Sequence, residues 1–117
     1  MHIKQSISIE VPLAKAKNAA RTWMRGELQG TAGEIIDGMA ADGSPSTSSV
    51  LEQDGIVMTT TATVAPHASG SKVTLELRTE GISRRDKLRN LSLLPGRKLV
   101  QRQVRASLLE IKAEAEQ

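Results

Sequence analysis

Residues 97–117 read RKLVQRQVRASLLEIKAEAEQ. Val100, Val104, Leu108, Ile111 and Ala115 recur there at the spacing of one helical face, and Arg97, Lys98, Arg102, Arg105 and Lys112 are left to cover the others. The pattern predicts a long terminal helix, the longest element of the chain. Pro95-Gly96 interrupts the stretch before it. Leu88, Leu91 and Leu94 suit one face of a short helix or turn there, with Ser83 and Asp86 as a weak N-cap pair.

Upstream the period changes from helical to alternating. Lys72 to Glu80 buries Val73, Leu75 and Leu77 and exposes Lys72, Thr74, Glu76 and Arg78. The Pro66–Gly70 stretch separates this strand from one reaching back to Ile56, and Asp54-Gly55 is a hairpin turn to Val50–Gln53. The result is an antiparallel meander. Two registers are open for residues 56–64: Ile56, Met58, Ala62 and Val64 inward, or Val57 with Thr59, Thr61 and Thr63. Residues 26–49 carry glycines and the run Ser46-Thr47-Ser48-Ser49, a loop composition with room for one short strand around 34–39. At the start, Ile3, Ile7, Ile9 and Val11 alternate with Lys4, Ser6, Ser8 and Glu10, as in a half-buried strand. Pro12 then opens a helix over about residues 12–25, with Leu13, Ala16, Ala20, Trp23 and Met24 on its apolar side.

With 117 residues, no internal repeat and no dividing linker, the expectation is one domain spanning 1–117. The chain has no cysteine, so disulfides, thiolate metal sites and a cysteine nucleophile are excluded. The opening residues lack an apolar leader and no long apolar run follows, so a cytoplasmic protein, neither exported nor membrane-spanning, is expected. Trp23 is the sole aromatic among Phe, Trp and Tyr, which argues against base stacking and hence against a nucleic-acid partner. Net charge is +3, but from Arg84 to Lys112 nine bases face only Asp86 and Glu110. This basic third suits a solvated helix face, or docking on a peripheral membrane surface or an acidic protein partner.

Three segments together resemble the START-like, or SRPBCC, superfamily, the helix-grip fold of polyketide cyclase-like and lipid-transfer domains. Ile7-Ser8-Ile9-Glu10-Val11-Pro12, followed by Ala16 and Trp23, is similar to that superfamily's opening strand and first helix. Thr61 to Pro66 and Gly70 to Leu75 resemble its hairpin of long strands, and Leu94 to Arg105 with Ser107 to Glu114 its basic closing helix. The resemblance implies an α+β fold in which a curved antiparallel β-sheet wraps around the C-terminal helix and a ligand sits between them. Trp23, Met58, Leu75, Leu77, Leu91, Val104 and Leu108 are the residues that would line such a space, and the same side chains equally suit a packed core.

Catalytic signals are weak. His2 lies at the chain start and His67 in a turn, both in solvated positions, and Asp37, Asp42 and Asp54 each precede glycine, where aspartate serves turn geometry. Two isolated histidines do not make a metal site, and the glycines of 26–43 match no phosphate-cradling motif. We therefore assign no catalytic residue, metal or cofactor, and the sequence specifies no oligomeric state. The expected function is non-catalytic binding of a small hydrophobic ligand of lipid, isoprenoid or polyketide type. An interaction module using the basic helix ranks second, and a cyclase or dehydratase-type enzyme third.

Overall fold

The alternation at the start of the chain forms β1 (His2–Ile9), with Ile3 and Ile9 buried and Lys4 and Ser8 exposed. In this computed structural model, residues 2–31, 33–53, 55–81 and 97–117 are described. The expected short helix around Leu88–Leu94 and the Ser83–Asp86 cap lie outside them, as does Asp54.

Pro12, with φ −59°, stands at the N-cap of α1 (Leu13–Leu28), and the Ala16 N–H donates to its carbonyl at 3.0 Å. Ala16, Ala19, Ala20 and Met24 are the buried face. Three alanines there let the helix lie close to the strands beneath it. The helix runs past the expected end at Arg25, because Gly26 is exposed and faces open space, so its weak helix propensity is tolerated.

Next come β2 (Glu34–Met39), β3 (Pro45–Gln53), β4 (Ile56–His67) and β5 (Gly70–Gly81). All pairings are antiparallel, in the order β1-β5-β4-β3-β2. The Ser/Thr run, expected to be loop, is instead paired on both sides within β3. Two of its hydroxyls find partners in neighbouring strands: Thr47 donates to Asp37 at 3.3 Å, and Ser48 shares a hydrogen bond with Thr61 at 3.0 Å. Asp37 is likewise a strand residue and not a turn former; Arg21 of α1 binds its carboxylate. That ion pair comes first in holding Asp37 below the ordinary aspartate pKa, with Thr47 assisting. Asp42 does serve a turn, accepting the Ser44 N–H at 2.9 Å beside Gly43 at φ +85°.

The sheet also settles the open register. Ala62 and Val64 stand opposite Leu75 and Val73, and all four are buried, so Thr61 and Thr63 point to the outer face. Ser71, fully buried at the start of β5, donates to the Val11 carbonyl at 2.8 Å and fastens β5 to the β1–α1 junction.

The terminal stripe forms α2 (Arg97–Ala115), and Val100, Val104, Leu108, Ile111 and Ala115 are all buried. This helix packs on β1, β5 and α1, while α1 covers β3, β4 and β5. Gln5, inward-facing on β1, donates to the Gln101 carbonyl of α2 at 3.1 Å and so satisfies the one polar side chain on that strand's apolar face. No described helix is long and apolar enough to cross a membrane.

Candidate functional site

Two helices on one sheet face leave a seam between them, and here the seam is open. A cleft of about 470 Å³ lies between Trp23 and Glu27 of α1, Thr60 of β4, Leu75 and Leu77 of β5, and Val100, Gln103, Val104, Ser107 and Glu110 of α2. Small-molecule sites span roughly 300–1,000 Å³, so the volume is of the right order. A smaller recess of about 120 Å³ adjoins it, sharing Trp23, Glu27 and Thr60 and adding Met24, Leu28, Ser49, Leu51 and Met58.

The floor is carbon and the walls are polar. Leu75, Val100 and Val104 are buried, whereas Glu27, Gln103 and Glu110 are exposed along the helical rims. Trp23 spans the gap: its indole Nε1–H donates to Glu110 Oε2 at 3.1 Å, linking α1 to α2. Ser107 bonds back to the Gln103 carbonyl at 3.0 Å. Ser49 is 7% exposed and its hydroxyl has no partner among the described residues.

Of the residues expected to line a ligand space, Trp23, Leu75, Leu77 and Val104 surround the cleft and Met58 the recess. Leu108, 0% exposed, is in the packed core and lines neither space. Leu91 lies outside the described residues. Sequence reasoning missed Thr60, Ser49, Glu27 and Glu110. A signal did exist for two of them: Glu27 follows Trp23 by one helical turn, and Gln103, Ser107 and Glu110 repeat at helical spacing beside the apolar stripe.

The outer sheet face is different in kind. A depression of about 590 Å³ there is lined by Lys4, Lys72, Thr61, Thr63, Thr74 and Glu76, among others. Two of its hydroxyls bond to neighbouring side chains, Thr74 to Ser6 at 2.8 Å and Thr61 to Ser48 at 3.0 Å. Glu76 is bound by His2 at 3.3 Å and Arg78 at 3.0 Å. Burial raises the Glu76 pKa, but those hydrogen bonds and charges outweigh it and hold the carboxyl below its ordinary value. His67 is exposed, and no group of three or more His, Asp or Glu among the described residues could hold a metal.

No protein-family model matches the chain, and no curated protein matches it in sequence. Solved structures do match in shape. An Arabidopsis thaliana member of the major latex protein family aligns with a TM-score of 0.53 at 13% identity, over 100% of this chain and 95% of that one. A Thermus thermophilus protein aligns with a TM-score of 0.51 at 16% identity, over 98% and 97%. A Chromobacterium violaceum protein also gives 0.51 at 16% identity, over 99% and 97%. At such low identity the likeness speaks for the fold alone, and it agrees with the five-stranded antiparallel sheet and its terminal helix: this chain has the START-like, or SRPBCC, helix-grip fold.

Proposed function

We propose that the cleft binds a small hydrophobic ligand, of lipid, isoprenoid or polyketide type, without covalent chemistry. One observation carries the reading: the seam between α1 and α2 stays open over an apolar floor of Leu75, Leu77, Val100 and Val104. Displacing water from such a floor gains roughly 25 cal/mol per Å² of apolar surface covered. Among the described residues the site lacks a buried carboxylate or imidazole aimed at the floor, which favours binding over acid–base catalysis. Trp23 reports occupancy directly, because it is the only tryptophan and lies at the cleft. Titration with decanol is expected to change Trp23 fluorescence saturably. Ser107→Phe, which lays a ring across the opening from a half-exposed position, should weaken decanol about tenfold or more while leaving the unfolding midpoint nearly unchanged. Equal affinity in the two proteins would refute the cleft as the binding site.

A second reading concerns the other side of α2. Lys98, Arg102 and Arg105 are exposed there, and Leu99 and Leu109 are 48% and 49% exposed. Bases flanking protruding leucines suit an anionic membrane surface, at about 1 kcal/mol per base. The protein is then expected to sediment with phosphatidylserine vesicles but not with phosphatidylcholine vesicles, and to be released by added salt. Retention that ignores salt would contradict this electrostatic docking.

A further inference from the structure

The two spaces differ from a plain apolar pocket in their charge. Among the described residues, no lysine or arginine lines the cleft or the recess, whereas Glu27 borders both and Glu110 borders the cleft. Glu76 also borders the cleft, but by strand alternation its side chain points to the outer sheet face, where His2 and Arg78 bind it. Glu27 makes no ion pair or hydrogen bond among the described residues, and the only described partner of Glu110 is the neutral Trp23 indole. A carboxylate-headed lipid would meet repulsion here and find no base among the described residues to receive it.

One further feature points to a cation and a second to a hydrogen-bonding head group. The indole of Trp23, the only aromatic ring of Phe, Trp or Tyr type in the chain, lines the cleft with both carboxylates and is hydrogen-bonded to Glu110, and an indole face attracts an organic ammonium. Inside the recess, the Ser49 hydroxyl is 7% exposed and unpartnered among the described residues, beside Thr60, which is directly opposite it in the sheet. A buried hydroxyl left without a partner is unfavourable, and a polar group of the ligand, an ammonium N–H included, would satisfy it.

We propose that the ligand is a hydrophobic amine. Its ammonium group is held at the neck formed by Trp23, Glu27 and Glu110, its N–H groups reach toward Ser49, and its apolar body lies along Leu75, Leu77, Val100 and Val104. The inference rests on the cleft being a ligand site, and adds the sign of the ligand's charge.

The test compares decylamine, decanol and decanoate at neutral pH, below their micellar concentrations, by Trp23 fluorescence. With two exposed ion pairs and the indole contact, decylamine should bind about tenfold more tightly than decanol, and decanoate more weakly than either. The double variant Glu27→Gln/Glu110→Gln is expected to reduce the amine-to-alcohol ratio to about two to fivefold, the share left to the indole contact. The amide oxygen introduced by Glu110→Gln can still accept the indole N–H, so Trp23 keeps its place. Ser49→Ala should weaken decylamine about threefold; unchanged affinity would remove that hydroxyl from the site. Decanoate binding as tightly as decylamine, or a double variant that keeps the full preference, overturns the amine assignment while leaving a neutral-ligand cleft standing. Absence of binding by all three probes overturns the cleft itself, and the amine proposal with it.

Discussion

Leu108→Ala is expected to lose about 2–5 kcal/mol of folding stability, the range for truncating a fully buried leucine. Leu108 is 0% exposed, on the stripe of α2 that presses against β1, β5 and α1, and it lines neither of the open spaces. Its removal therefore creates a closed void and cannot simply widen the cleft. Since domains of this size are stable by only about 5–15 kcal/mol, the loss is a large fraction of the total. Urea denaturation should show it as a midpoint lowered by about 1 M or more, at an m-value of roughly 1–3 kcal/mol/M. Leu109→Ala is the control: that neighbour is 49% exposed, so its truncation should stay within about 0.5 kcal/mol. If the two variants unfold alike, α2 does not seal the sheet as described.

Gly70→Ala should destabilise by about 1–3 kcal/mol through overpacking. A Cβ at residue 70 would stand 2.2 Å from the Ile9 carbonyl oxygen and 2.9 Å from the Glu10 Cα. Both are backbone atoms, so no side-chain rotation relieves the clash. Relief would require β5 to move off the end of β1, which would stretch the Ser71–Val11 hydrogen bond beside it. Gly26→Ala gives the opposite sign. Its Cβ meets nothing within 4 Å, it sits in the helix α1, and alanine gains about 0.8–1 kcal/mol over glycine in a helix interior. Thermal melts of the two variants should move in opposite directions. A Gly70→Ala protein as stable as the parent would mean that this junction is looser than its close backbone contacts imply.

Much of this architecture is legible locally. The alternation around Ile3 and Ile9, and around Val73 and Leu75, identifies β1 and β5, and the stripe from Val100 to Ala115 identifies α2 with its buried face. Strand and helix periods are written into neighbouring residues, so no distant contact is needed to read them. The β3 strand is the opposite case. Ser46 to Ser49 look like a flexible loop until Asp37 and Thr61, from other strands, supply hydrogen bonds to Thr47 and Ser48. Asp37 itself looks like a turn residue until α1 brings Arg21 to it.

The sequence by itself determined the order of the elements, most of the buried faces of the two helices, and the apolar inward faces of β1 and β5. Only the tertiary structure decided that Ala62 and Val64 turn inward, that α1 and α2 leave a seam, and that Trp23 meets Glu110 across 87 residues of chain. The reason is physical. Periodicity records which side of an element prefers to leave water, but register, the gap between two helices and the charge around that gap arise from pairings between segments far apart in the chain.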